Sequence, residues 1–267
     1  MSFANELSLL IVVPTLNSYE ILPRLLDSLQ EQSWPNWRLV FVDGPSAPCH
    51  RAWLNQCCAT DPRCSWVKQA SNYPGIFGAM NQGFSLAAPD DWLLFWGSDD
   101  WAASPNALAA AFRSIKAADR AIDLIVCKGR YADGVTKALG RTTKFQPDGV
   151  LNSDSYRRAL LFGSSPPHQA TLFGPSTRLK LSHYDADLRL SADLDYFLKL
   201  SRHSDITVQC LNLELVHMAD GGVSSQQTKR RLQEVRLAYR HAFGRLWWFP
   251  FLARYFRRLV SLVPSFG

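Results

Sequence analysis

The sequence predicts an α/β fold: a central, mainly parallel mixed sheet flanked by helices, with a C-terminal helical extension. Two observations carry that expectation. Short apolar, β-rich runs alternate with helix-spaced apolar patterns through the first half of the chain. A basic segment closes a chain that is otherwise close to neutral. From Lys229 onward the net charge is +8, leaving −2 for residues 1–228 of a total of +6.

The elements follow in order. Residues 8–13 (Ser-Leu-Leu-Ile-Val-Val) read as a buried strand ending at Pro14. Ile21, Leu22, Leu25, Leu26 and Leu29 then recur at helix spacing. A second strand, residues 38–43, is broken by Gly44 and Pro45. A short helix over 51–58, a third strand over 65–68, a helix over 76–87 and a fourth strand over 92–96 follow, the last ended by Gly97. A helix is predicted from Pro105 to Ala117, with Ser104 as N-cap and Pro105 in its first position. Residues 122–127 make a fifth strand. The second half is more mixed. A Gly/Pro-rich stretch, 163–168, precedes a strand over 169–173. A helix over 191–202 has Ser191 at its N-cap, a strand runs over 206–216, and a basic amphipathic helix covers 226–243. The division expected is 1–225 for the α/β domain and 226–267 for the extension.

Composition narrows the class. With 267 residues, 47% hydrophobic and 19% charged, the chain can bury a sizeable core and is not generally disordered. The apolar run at 9–13 is too short for a signal core or a membrane span, so a cytoplasmic location is expected. Six cysteines lack the paired spacing of a zinc site and read as free thiols.

In open α/β sheets ligands bind beyond the C-terminal ends of the strands, so the polar loops there matter most. Asp99 and Asp100 follow the apolar run Leu93-Leu-Phe-Trp. Two carboxylates there fit a divalent cation that also bridges nucleotide phosphates, or else a solvated turn leading into the next helix. Asp43 also ends an apolar strand, and by itself an ordinary Asp-Gly turn accounts for it. Asp193 and Asp195 open the helix at 191–202, where acids favour the helix dipole and where one of them is placed to act as a general base. His168 and Gln169 lie between Pro167 and an apolar strand. Gly75-Ile-Phe-Gly-Ala-Met-Asn-Gln-Gly83 has no Lys-Ser/Thr after its glycines, which excludes a phosphate loop. No Gly-x-Gly-x-x-Gly follows the first strand, which excludes a dinucleotide oxidoreductase, and no Gly-rich, Lys/Arg-bearing loop there supports a nucleotidyltransferase.

The order of these pieces resembles the family 2 inverting glycosyltransferases of GT-A fold, over roughly residues 8–225. Val12-Val-Pro-Thr-Leu-Asn17, Phe41-Val-Asp-Gly-Pro-Ser46, Ala79-Met-Asn-Gln-Gly83, Gly97-Ser-Asp-Asp100, Pro167-His-Gln-Ala-Thr171, Ala192-Asp-Leu-Asp195 and Gly221-Gly-Val-Ser224 are similar to successive family segments. They look like those of a branch that assembles colanic acid, capsule and O-antigen. The resemblance implies a metal-dependent enzyme using Mn2+ or Mg2+ and a nucleotide-sugar donor, a UDP-sugar being favoured, with a saccharide or lipid-linked acceptor. It implies nucleotide contacts from Pro14, Thr15, Asn17, Asp43, Asn81, Ser98 and Asp99, metal ligation by Asp100 with Asp99, and Asp193 as the base. His168, Gln169, Asp195 and Gly222 would meet the donor or acceptor sugar. Gly78 stands where many members carry Asp, and Lys199 where Arg is frequent. The alternative from another class is an inactive sugar- or nucleotide-binding protein on the same fold.

The tail, Arg245-Leu-Trp-Trp-Phe-Pro-Phe-Leu-Ala-Arg-Tyr-Phe-Arg-Arg, mixes aromatics with arginines. That composition suits a helix lying on an anionic membrane surface, and equally a helix packed on the domain with its basic face in water. No nucleic-acid module accompanies the charge, so nucleic acid is not an expected partner.

Overall fold

The structure is a computed structural model and describes residues 7–133, 136, 138–143, 145–220 and 227–260, the side chains of 258–260 apart. The Gly221–Ser224 segment, and with it Gly222, lies outside the described residues.

Four parallel strands form the nucleus of the sheet: β1 (Ser8–Thr15), β2 (Trp37–Asp43), β3 (Cys64–Lys68) and β4 (Asp91–Phe95). Between them run the helices α1 (Leu22–Gln30), α2 (Pro48–Thr60) and α3 (Gly75–Leu86). After β4 come a two-residue strand β5 (Trp101–Ala102), α4 (Ala107–Lys116), β6 (Leu124–Ala132), β7 (Leu139–Thr143), β8 (Gly149–Leu151) and α5 (Ser153–Leu161). A 3-10 turn (His168–Ala170) leads into β9 (Thr171–Phe173). Then follow α6 (Pro175–Lys180), α7 (Ala192–Leu200), β10 (Val208–Ala219), α8 (Thr228–Phe243) and α9 (Trp248–Val260).

The sheet order is β3-β2-β1-β4-β9-β6-β10-β5, with β7 paired to β6 and β8 to β10. The sheet is mixed because β9 enters antiparallel to both β4 and β6. This is a GT-A-like architecture, a central mixed sheet flanked by helices.

Alternation along the strands sorts the apolar residues between the two faces. Leu9, Ile11 and Val13 of β1 join Leu22, Leu25 and Leu29 of α1 and Leu108 and Phe112 of α4. Leu10 and Val12 turn to the other face, with Phe84 of α3, Tyr156 of α5 and Phe197 of α7. Val235, Ala238, Tyr239 and Ala242 of α8 belong to that second core, so the first helix of the extension is packed into the body. The second, α9, crosses Gly163: a Cβ there would stand 2.3 Å from the backbone nitrogen of Arg254, and Gly163 has φ +75°. Phe162 and Phe249 meet edge-on at 5.5 Å beside this crossing.

One capping expectation is corrected. Helix α4 begins at Ala107, not at Pro105, and Ser104 makes no side-chain cap. Gln32, just beyond α1, reaches across instead: its Oε1 accepts from Leu108 N–H at 3.1 Å and its Nε2 donates to the Ser104 carbonyl at 2.8 Å. Ser191 stands at the N-cap of α7 as expected, without a side-chain cap hydrogen bond. The Glu234 carboxylate, from α8, accepts the N–H groups of Arg189, Leu190 and Ser191 at 3.2, 2.7 and 3.0 Å. All six cysteines are free thiols.

Candidate active site

Register brings three loops level at one end of the sheet. Thr15 of β1 is paired with Asp43 of β2, and Val12 with Phe95 of β4. The chain leaves all three strands at that end, and their polar loops bond to one another. Asn17 takes φ 50°, its Oδ1 accepts from Ala47 N–H at 2.7 Å, and its own N–H donates to Ser46 Oγ at 3.0 Å. Thr15 Oγ1 bonds to Ser18 and, at 3.1 Å, to His50 Nε2. Ser18 donates to Ser98 at 3.1 Å, and Ser98 donates to the Pro14 carbonyl at 3.0 Å.

The acids in these loops stand in different surroundings. Asp43 is buried with both oxygens engaged: Ser46 donates at 2.5 Å, Arg51 Nε at 3.0 Å, and His50 Nε2 lies at 3.4 Å. Burial holds His50 below the usual imidazole range, although Asp43 pulls the other way. Asp99 is half-buried and Asp100 only 3% exposed. Burial raises the Asp99 carboxyl above its ordinary value; burial, and then the Asp99 charge, raises Asp100 well above it. The Gly97 N–H at 2.6 Å from Asp100 Oδ2 works against that rise. No basic side chain among the described residues pairs with either carboxylate.

This pair fits a hard divalent cation. Two adjacent, partly desolvated carboxylates with no cationic neighbour are an oxygen donor set carrying unneutralised charge. No group of three or more His, Cys, Asp or Glu suited to a metal occurs among the described residues. A cation here would therefore draw further ligands from a bound phosphate and water, the mode typical of Mg2+.

A cavity of about 640 Å³ is lined by other elements, among them β7, α7, α8 and α9. Half-buried Asp193, from the first turn of α7, lines it together with His168, Gln169 and Ser191. The link to the β4 loop is Trp96, whose Nε1 donates to the Gln169 carbonyl at 3.0 Å. His168 is buried, stacks on Phe95 at 5.7 Å and bonds through Nε2 to the Tyr184 hydroxyl at 2.7 Å. Burial pushes its pKa down to about 4, so its imidazole is neutral at pH 7.

Two expected site residues are placed elsewhere. The Asn81 amide is spent on the main chain of Tyr184, donating to its carbonyl at 3.0 Å and accepting its N–H at 2.6 Å. Asp195 is 1% exposed and lies 2.7 Å from Lys199, which also reaches Asp185 at 3.0 Å. Asn81 and Asp195 thus hold the walls of the site and do not face the cavity. Gly78 has a local cause: a Cβ there would meet the Tyr73 carbonyl oxygen at 2.2 Å, which leaves no room for Asp. Sequence reasoning missed Tyr184, Glu234 and the cavity-lining arginines 141, 231, 254 and 257. Only Glu234 carried a signal, as the single acid among nine Lys and Arg in the basic tail.

Residues 10–169 match the model of Glycosyl transferase family 2. The chain belongs to that family. It is a glycosyltransferase. Among curated proteins it is similar to a PGL/p-HBAD biosynthesis glycosyltransferase of Mycobacterium bovis, 27% identical over 237 residues and covering 86% of each chain. Among solved structures it is similar to Staphylococcus aureus TarS 1–349 in complex with UDP-GlcNAc, with TM-score 0.70, 17% identity, and 98% of this chain and 75% of that one covered. It is also similar to the mannosyltransferase PcManGT of Pyrobaculum calidifontis in complex with GDP-Man and Mn2+, with TM-score 0.64, 15% identity and 97% and 72% covered.

Proposed function

We propose that this glycosyltransferase moves a sugar from a nucleotide-sugar donor, a UDP-sugar being favoured, to a hydroxyl of a saccharide or lipid-linked acceptor in surface polysaccharide or glycolipid assembly. The observation that carries the reading is the unneutralised Asp99–Asp100 pair beyond β4, with Asp193 on the wall of the cavity. Support also comes from the neighbours: TarS is described with UDP-GlcNAc, PcManGT with GDP-Man and Mn2+, and the mycobacterial relative is named for PGL/p-HBAD biosynthesis.

Asp99 and Asp100 would hold Mn2+ or Mg2+, which when bound neutralises the charge of the diphosphate leaving group. The loops at Pro14, Thr15, Asn17 and Ser98 bind the nucleotide, and Asp43 braces them from beneath. Asp193 accepts the proton of the acceptor hydroxyl while that oxygen bonds to the anomeric carbon. The bond from that carbon to the diphosphate oxygen breaks, its electron pair leaves with the nucleoside diphosphate, and the anomeric centre inverts. Neutral His168, tied to Tyr184, and Gln169 line the space for the sugar.

The reading includes association with an anionic membrane surface. Among the described residues no helix is long and apolar enough to cross a membrane. Trp248, Leu252 and Phe256, four residues apart on α9, are nonetheless 50%, 58% and 68% exposed.

Thermal unfolding with UDP, GDP, dTDP and CMP, each with and without Mn2+, tests the donor site. Stabilisation by one nucleotide, requiring the metal and abolished in Asp100→Ala, is expected. A folded protein that no nucleotide stabilises would overturn the reading.

A further inference from the structure

The cavity in front of Asp193 is lined by four arginines, Arg141 of β7, Arg231 of α8, and Arg254 and Arg257 of α9, and Asp193 is the sole acid on it among the described residues. Three of these guanidinium groups have neutral partners. Arg141 lies over the Tyr131 ring at 5.0 Å, Arg254 donates to Ser165 Oγ at 2.7 Å, and Arg257 donates to Gln146 Oε1 at 2.7 Å. Arg254 Nε is buried and has no hydrogen-bond partner. Its backbone is seated against Gly163, so Arg254 is carried on a fixed stretch of helix.

Arg254 and Arg257 are half-buried and Arg141 is exposed; half-buried cations are costly to hold together without an anion, and a guanidinium group left with an open N–H is costlier still. Planar forks of N–H donors match phosphate and carboxylate oxygens. We propose that Arg254 and Arg257, with Arg141, form an anion subsite in the acceptor cavity, and that the acceptor carries a phosphate or comparable anionic group close to the hydroxyl that is glycosylated. The proposal rests on the reading of Asp193 as the base. The helix that ends the described chain then acts as a wall of the acceptor site, and selects acceptors by charge.

Inorganic phosphate is the probe, its binding followed by titration calorimetry on the full chain. Arg254→Gln with Arg257→Gln should weaken phosphate binding at least about tenfold, as expected for losing charge-assisted hydrogen bonds. Arg240→Gln with Arg245→Gln removes the same charge from exposed positions outside the cavity and should leave binding unchanged. Flotation with phosphatidylglycerol and phosphatidylcholine vesicles separates the sources of the anion. Retention by the anionic vesicles alone, lost in the cavity variant, makes it a lipid headgroup, while Arg-dependent binding of phosphate alone makes it a soluble phosphate ester; both support the subsite. Equal loss in the cavity and exposed variants, or no Arg-dependent binding of either probe, overturns it. So does loss of nucleotide stabilisation in the cavity variant, which would assign the arginines to the donor. If the double variant fails to fold, Arg141→Gln carries the test. Nucleotide stabilisation without phosphate binding sinks this inference alone, while the reverse sinks the donor reading and leaves the anion subsite standing.

Discussion

The loop after β2 and the loop after β4 both present carboxylates at the same end of the sheet, yet their surroundings differ. Asp43 is buried with Arg51, Ser46 and His50 around it. Asp100, equally buried, has a single backbone N–H from Gly97 and another carboxylate beside it. Arg254 and Arg257 on the cavity wall show the opposite sign of the same condition, as cations on neutral partners. An acid at a strand end is therefore no mark of a site in itself. What separates a brace from a binding group here is whether the protein supplies the counter-charge.

The largest effect expected bears on Asp193, the acid that lines the same cavity as the arginines. Asp193→Asn should lower kcat by about 10²- to 10⁴-fold, the range for removing a general base. Nucleotide stabilisation and phosphate binding should both persist, because neither set of uncompensated charges is touched. Unchanged turnover would remove the base role. Lost nucleotide binding would show that donor and acceptor sides are not separate.

Next in size is a pH effect on stability. His168 is buried and neutral, with its pKa down to about 4 from 6.5. The unfolded chain therefore binds a proton that the folded chain refuses between those values. The His168 contribution is fully present above pH 6.5 and is lost as pH falls towards 4, about 3 kcal/mol in all at 1.36 kcal/mol per pH unit. Urea unfolding at pH 7 and at pH values towards 4 should show that loss, and His168→Gln should flatten it. An unchanged slope in the variant would place the acid sensitivity elsewhere.

The strands β1, β2 and β4 were legible because each is built on a continuous apolar run bounded by turn residues, and parallel pairing then had to bring their loops together. The strands β5, β7 and β8 were not: β5 and β8 have only two and three residues, and β7, Leu-Gly-Arg-Thr-Thr, lacks an apolar run. Helix α5 had only a local sign, Asn152, whose side chain accepts from Ser155 N–H at 3.0 Å. The acidic candidates were legible as residues, but not by their state. That Asp43 meets Arg51 or that Asn81 holds Tyr184 depends on packing between elements, whereas Asp195 and Lys199 pair at i,i+4 spacing within α7. The arginine wall was the least visible part: it joins β7 to α9 across more than a hundred residues, and in sequence the latter two arginines read only as tail charge.

The smallest effect turns the β2–β4 contrast into a stability measurement. Because the folded state raises the Asp100 pKa, the folded chain holds the proton more tightly than the unfolded one. Its cost is absent below the ordinary value of 3.8 and grows as pH rises from there towards the folded value, so above the ordinary carboxylate range the buried Asp100 carboxyl works against folding. Asp100→Asn keeps an oxygen for the Gly97 N–H and removes one of two adjacent charges. Without metal or nucleotide it should unfold at higher temperature than the parent, by about 1 kcal/mol at pH 7, in the range typical when a functional site is relieved of its strain. Adding Mn2+ with the bound nucleotide should reverse the order, since only the parent gains. Asp43→Asn should do the opposite in the absence of ligands and destabilise, because it leaves Arg51 and His50 without their carboxylate. If Asp100→Asn instead destabilises the ligand-free protein as Asp43→Asn does, Asp100 is a brace like Asp43 and the distinction between the two loops falls.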